Sequence, residues 1–209
     1  MYGRLEVKIV FATGNQGKVR EIKEIMKDMD VEVYTMKEAG IDVDVTEDGA
    51  TFIANAKIKA KEIAALVAQT EAFSDAVVMA DDSGLVIDAL NGEPGVYSAR
   101  YMGHDTSYEE KNWNLIHRLD GVKDEKRTAR FVCAVAAVYP DGTLLTVQEA
   151  MEGRIAYEPS GANGFGYDPI FYLPEFGCTS ADISPEEKNE ISHRGKALRA
   201  ISVKMQEKM

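Results

Sequence analysis

A mixed α/β fold is predicted by three observations. An apolar run at Leu5–Thr13 gives way to a helical repeat and then to a second apolar run, the pattern of a strand-helix-strand unit with parallel strands. Two long strand-like runs, Thr128–Tyr139 and Thr143–Gly153, are joined by Pro140-Asp141-Gly142, the signal of an antiparallel hairpin. A sheet that holds both is mixed, with helices flanking it. No linker, internal repeat or low-complexity tract divides the 209 residues, so one domain spanning residues 1–209 is predicted.

The elements follow in order. The first strand ends in the turn pair Gly14-Asn15, after which Val19, Ile22, Met26 and Met29 recur at helical spacing, with Arg20, Lys23, Glu24 and Lys27 on the other side. Val31–Tyr34 reads as a short second strand. Thr51–Ala68 is the strongest helix: Ile53, Ala56, Ala60, Ile63, Ala64 and Val67 make one stripe, and Thr51 caps it. At about 100° per residue, Lys59 falls on the shoulder of that stripe. Ala76–Ala80 is a short strand running into Asp81-Asp82-Ser83-Gly84. Leu85–Leu90 and Val96–Tyr101 are weaker strand or turn candidates. Thr106–Leu119 is a helix with Trp113, Ile116 and Leu119 inward, and Ser160–Tyr167 is a glycine-rich segment. The last helix, Arg194–Gln206, turns Leu198, Ile201 and Met205 toward the core.

Composition excludes several classes. A chain of this length buries roughly 70% of its unfolded surface, and 45% hydrophobic residues can fill that interior. The longest apolar run, Phe131–Tyr139, has nine residues, well short of the roughly 18 that a membrane helix needs. The N-terminus reads as a first strand rather than a signal peptide, and a cytoplasmic location is expected. Cys133 and Cys178 have neither CxxC spacing nor histidine companions, which supports no disulfide framework and no zinc site. A formal net charge of −11 disfavours a surface that tracks a nucleic-acid polymer.

Charge is segregated locally. Lys188–Met209 carries Lys188, Arg194, Lys196, Arg199, Lys204 and Lys208 against Glu190 and Glu207, whereas Glu38–Phe52 holds five acids and no base. Such a division suits a small polyanion and its accompanying cation, and also suits plain uneven surface charge.

Four motifs carry candidate chemistry. Thr13-Gly14-Asn15-Gln16-Gly17-Lys18 lies where a strand becomes a helix, a place where backbone N–H groups and the positive helix end can hold phosphate, and it also suits an ordinary strand-turn-helix corner with Asn15 as a turn residue. It is no P-loop, because Ala12 and Val19 stand where Gly and Ser/Thr are required. Asp81-Asp82-Ser83-Gly84 would hold a carboxylate at a strand's end, and Glu47 is its best partner from the acidic loop. Hard divalent cations use one or two such carboxylates with water and substrate phosphates, although adjacent acids before Ser-Gly also form ordinary turns. Gly164-Phe165-Gly166-Tyr167-Asp168-Pro169 sets aromatics among glycines, as a base-stacking loop or a bulge would. Lys188, His193 and Arg194 fall close together before the last helix, as a capped helix start or a site would place them.

Taken in order, TGNxxK, ADDSG-LxxDxLxGxPGxYSAR, GFGYDPxF and EEKNxISHRGxA resemble the inosine triphosphate pyrophosphatase family, over Val10–Leu198. The resemblance implies an elongated mixed sheet between two lobes with the site in a cleft, usually in a homodimer. It implies hydrolysis of non-standard purine nucleoside triphosphates such as ITP, dITP and XTP to the monophosphate and pyrophosphate. By the same resemblance, Thr13, Asn15 and Lys18 hold the triphosphate, with Lys59 and Lys188 as further positive contacts. Glu47 and Asp82 serve Mg²⁺, Asp82 also activates water, and Ser83 touches substrate. Phe165, Gly166, Tyr167 and Asp168 line the base and sugar pocket, while His193 and Arg194 read the base edge.

Physical chemistry fits those roles. Water needs a carboxylate base, a metal or both to attack phosphorus at neutral pH. Hypoxanthine and xanthine present a 6-oxo acceptor where adenine has a 6-amino donor, so a pocket of donors would reject ATP. A non-catalytic nucleotide sensor on the same scaffold would keep the lysines and base pocket but have no need of Glu47, Asp81 and Asp82. A kinase-like phosphotransferase would need the P-loop that is absent.

Overall fold

In the computed structural model, residues 7–208 are described, and the expectations for Leu5 and Glu6 lie outside them. Strand β1 (Val7–Phe11) leads into helix α1 (Gln16–Met26) and strand β2 (Val31–Thr35). Helix α2 (Phe52–Val67) follows, then β3 (Val77–Ile87) and α3 (Tyr108–Arg118). Strands β4 (Thr128–Val138), β5 (Leu144–Ile155), β6 (Phe171–Leu173) and β7 (Cys178–Thr179) complete the sheet, and α4 (Pro185–Ile191) and α5 (His193–Lys208) end the chain. Among the described residues, seven strands run in the order β2-β1-β3-β4-β5-β6-β7.

The sheet is mixed, as its pattern predicts. β1 pairs parallel with β2 (Val7 beside Val31) and with β3 (Ile9 beside Val77), whereas β6 is antiparallel to both β5 and β7. The β4–β5 turn is closed by Tyr139 N donating to the Thr143 carbonyl at 2.9 Å.

Residue contacts divide the chain into two units. Among the described residues, the first comprises residues 7–82, 134–148 and 197–208, and the second residues 83–133 and 149–196. In the first unit, Ile9, Val10 and Phe11 of β1, Ile22 and Met26 of α1, Ile63 of α2 and Val78 and Met79 of β3 are buried. Leu198, Ile201 and Met205 of α5 are buried as expected. The second unit has its own apolar cluster, including Leu85, Ile87, Leu115, Leu119, Phe131, Met151, Ile155, Tyr167 and Phe171.

Four local expectations are corrected. Asp81-Asp82-Ser83-Gly84 is no turn at a strand's end, because β3 runs straight through it to Ile87. Val96–Tyr101 is largely a 3₁₀ helix, Gly95–Arg100. Trp113 is 39% exposed and stacks on His117, because Ser107 and Glu110 set the start of α3 by a capping box and turn Leu115 and Ile116 inward instead. On α2, Phe52 and Asn55 occupy the buried side where Ile53 was expected. The helix α4 and the short strands β6 and β7 carry too few periodic residues to be read in advance.

Candidate active site

The first unit holds the acids and two lysines. At the β1–α1 corner, the Asn15 carboxamide caps α1 by accepting from Gly17 N at 2.9 Å and Lys18 N at 3.2 Å, and Thr13 Oγ1 accepts from Asn15 N at 3.2 Å. Those two helix-start amides are therefore satisfied internally rather than offered bare. Lys18 reaches inward, its Nζ 2.9 Å from Asp81 Oδ2. Lys59, on the predicted shoulder of α2, pairs with Glu47 Oε1 at 2.8 Å and donates to the Asp81 carbonyl at 3.0 Å. Burial alone would lower the Lys59 pKa, but Asp81, Glu47 and Asp82 together hold the ammonium above its ordinary value.

Asp82 is buried beside this group, with its Oδ2 accepting from the Asn55 carboxamide at 3.0 Å. Burial pushes its carboxyl up to about 6, assisted by Glu47 and resisted by Asn55, Lys18 and Lys59. A carboxylate of that basicity is ionised at neutral pH and still able to take a proton. Among the described residues, no three His, Cys, Asp or Glu side chains form a protein-only metal cage. The all-oxygen pair Glu47 and Asp82 nevertheless suits Mg²⁺, which takes one or two carboxylates and fills its remaining positions with water and phosphate.

The second unit begins at the next residue, Ser83, and holds the other predicted groups. Arg194, at the start of α5, is buried and donates from Nη2 to Ser83 Oγ at 3.0 Å. Its guanidinium stands 5.7 Å from the centre of the Phe165 ring, and Lys188 Nζ stands 5.3 Å from the same ring. His193 is buried, its ring stacked on Phe131 at 4.9 Å and 17°.

Asp168 ties the aromatic loop together: Oδ2 accepts from Phe165 N at 2.8 Å and Lys188 Nζ at 2.6 Å, and Oδ1 accepts from Ser180 Oγ at 3.0 Å. Gly164 is required for this closure, since its φ is +75° and a Cβ there would fall 2.2 Å from Asp168 Oδ2. The two aromatics divide their work. Tyr167 is buried, donates its hydroxyl to the Ser98 carbonyl at 2.7 Å and meets Tyr108 edge-to-face, so it is a post of the loop rather than an exposed platform. Phe165, half-buried, is the ring that remains partly accessible.

Lys18, Glu47, Lys59, Asp81 and Asp82 thus gather in one unit, and Ser83, Phe165, Asp168, Lys188, His193 and Arg194 in the other. Lys188, read as a phosphate contact, is joined here to Asp168. Sequence reading missed Asn55, whose signal was an amide on the apolar side of α2. It also missed Ser180 and Asn112, whose Nδ2 donates to the Gly166 carbonyl at 3.2 Å; neither sits in a recognisable pattern.

Comparison with known proteins decides the family. The Ham1 family model matches residues 9–204. The chain belongs to the Ham1 family. Two relatives named dITP/XTP pyrophosphatase are 47% identical over 195 residues (Clostridium perfringens, 93% of this chain and 95% of the relative) and 46% identical over 200 residues (Geobacillus kaustophilus, 96% and 95%). The solved Ham1 protein of Staphylococcus aureus superimposes with a TM-score of 0.83 at 39% identity, covering 97% of this chain and 100% of that one. The Ham1 protein of Coxiella burnetii gives 0.82 at 39% identity, over 96% and 99%. No helix among the described residues of this Ham1 chain is long and apolar enough to cross a membrane.

Proposed function

We propose that this member of the Ham1 family hydrolyses ITP, dITP and XTP to the nucleoside monophosphate and pyrophosphate. The observation that carries the reading is the Lys18, Glu47, Lys59, Asp81 and Asp82 group, in which Lys18 pairs with Asp81, Lys59 pairs with Glu47, and burial pushes the Asp82 carboxyl up to about 6. The name carried by relatives 43–47% identical supports it.

Thr13, Asn15 and Lys18 take the triphosphate, with Lys59 and Lys188 adding positive charge. Asp82 orients a water and accepts its proton as the water oxygen bonds to the α-phosphorus; the bond to the oxygen bridging the α- and β-phosphates breaks, and pyrophosphate leaves. Lys18 and Lys59 offset the charge that develops on the leaving group. Glu47 and Asp82 would hold Mg²⁺, which supplies Lewis-acid polarisation of the phosphates when bound. On the base side, Phe165 stacks on the purine, Ser83 touches the substrate, Gly166, Tyr167 and Asp168 shape the pocket, and the Arg194 and His193 donors read the 6-oxo acceptor.

The working form in this reading is a cytoplasmic homodimer. Exposed Tyr97, Met102, Tyr108 and Trp113 of the second unit favour a covered surface, and sedimentation at micromolar concentration tests it. The decisive assay is pyrophosphate release across a panel of nucleoside triphosphates with Mg²⁺. ITP, dITP and XTP are expected to turn over far faster than ATP; equal rates for ATP, or orthophosphate as the product, would overturn the proposal.

A further inference from the structure

Asn55 is 1% exposed, and none of the roles assigned above uses it. It lies in the first turn of α2, where its backbone N–H donates to the Thr51 carbonyl at 3.0 Å and Thr51 Oγ1 caps Ala54 N at 3.1 Å. The backbone that carries the side chain is therefore anchored. Its carboxamide makes two bonds of opposite sense: Nδ2 donates to Asp82 Oδ2 at 3.0 Å, and Oδ1 accepts from Gly49 N at 2.8 Å. Chemistry dictates which end faces which partner, because Gly49 N–H can only donate and so faces the oxygen, leaving the NH₂ to face the carboxylate.

The contact with Gly49 is unusually close. A Cβ on Gly49 would fall 2.6 Å from Asn55 Oδ1, 2.8 Å from Ala54 Cβ and 3.0 Å from Asn55 N. Only glycine lets the loop that carries Glu47, two residues earlier, rest on the start of α2. One buried amide thus secures Asp82 directly and the Glu47 loop through Gly49.

We infer that Asn55 is a positioning residue for the hydrolysis, holding Asp82 Oδ2 by a neutral donor so that Oδ1 is left to face water and cation, and locking the Glu47 loop beside it. The inference rests on the reaction proposed above. Outer partners of this kind typically contribute 10–100-fold in metal affinity or activity. No other side chain serves both contacts: aspartate keeps the shape and the Gly49 acceptor but turns an oxygen toward Asp82, and alanine gives up both.

Asn55→Asp, Asn55→Ala and Gly49→Ala are to be compared with wild type in the full chain, by kcat and KM for ITP, by Mn²⁺ titration followed by electron paramagnetic resonance, and by thermal melting. The expected result is kcat lower by about 10–100-fold in Asn55→Asp, with KM within about threefold and a melting temperature lowered by the added buried carboxylate while the transition stays cooperative. Gly49→Ala should lower kcat in the same direction, and Mn²⁺ affinity should fall about tenfold in Asn55→Ala. Near-normal kcat in Asn55→Asp would overturn the inference, since Asn55 would then serve only to anchor Gly49; unchanged Mn²⁺ affinity in Asn55→Ala would overturn it too. If alanine prevents folding, the aspartate variant alone decides. Wild-type failure to hydrolyse ITP would count against the proposed reaction instead, and the Mn²⁺ arm would still judge Asn55.

Discussion

Lys18 Nζ stands 2.9 Å from Asp81 Oδ2, and the Asp81 side chain is fully buried while Lys18 keeps 14% of its own exposed. The same relationship joins Lys59 to Glu47 at 2.8 Å. In the free protein these lysines neutralise the acids. A substrate that brings a triphosphate and a divalent cation together can take the lysines and the carboxylates at once, whereas either ion alone must leave a buried charge uncompensated. Calorimetry with a non-hydrolysable ITP analogue should therefore show binding at least about tenfold tighter with Mg²⁺ than without it. Equal affinity would mean that the pairs persist in the complex.

Removing Lys18 should act on stability as well as on binding. Lys18→Ala takes a cation from a fully buried carboxylate, which typically costs about 3–5 kcal/mol, and it also removes a triphosphate contact. Thermal melting should fall and KM should rise. Adding Asp81→Asn should restore much of the stability without restoring KM. Recovery of both would place the phosphates elsewhere.

Asp82 links activity and stability through pH. Burial raises its carboxyl from 3.8 to about 6, so the protonated form favours the folded chain; that contribution is whole below about pH 4 and is lost as pH rises through about 6. At pH 8 the ionised side chain accordingly costs on the order of 3 kcal/mol. Asp82→Asn should melt at a higher temperature than wild type at pH 8, with the gain vanishing near pH 4, while turnover is almost abolished. In the wild type, kcat/KM should decline as pH drops through about 6. Near-normal kcat in Asp82→Asn would sink its role as base and ligand.

Glu47 is the more exposed acid, at 26% of its side chain, and is bound to Lys59. Glu47→Gln should lose turnover yet recover part of it at raised Mg²⁺, as expected for a residue that only holds the cation. Indifference to magnesium would confine Glu47 to its pairing with Lys59.

Base selectivity should reside in Arg194. If its guanidinium, now on Ser83 Oγ, donates to the 6-oxo group, Arg194→Ala should lower kcat/KM for ITP and XTP far more than for ATP. A hydrogen bond from a charged donor contributes about 1.5–3 kcal/mol, so the ITP/ATP ratio should fall by roughly one to two powers of ten. Equal losses would assign Arg194 to the support of Phe165 and the start of α5.

The sequence by itself determined the mixed sheet, the helices α1 and α2 with Thr51 capping the second, the β4–β5 turn and the inward face of α5, because periodicity and capping are local properties of neighbouring residues. It also marked Lys18, Asp82 and Arg194 by motif, Glu47 through the acidic loop and Lys59 through the family resemblance. Tertiary structure alone decided what each of them touches. Whether Asp81-Asp82-Ser83-Gly84 turns or continues as strand depends on pairing along β3, which the local preference of those residues for turns does not reveal. Tyr167 and Phe165 are near neighbours of like chemistry, yet one is buried on the Ser98 carbonyl and the other is partly open, because Asp168, Ser180 and Lys188 close the loop from distant positions. Asn55 lies 27 residues before Asp82, and its pairing with that carboxylate exists only once α2 and β3 have packed, since a buried hydrogen bond is a relation between elements rather than a property of either.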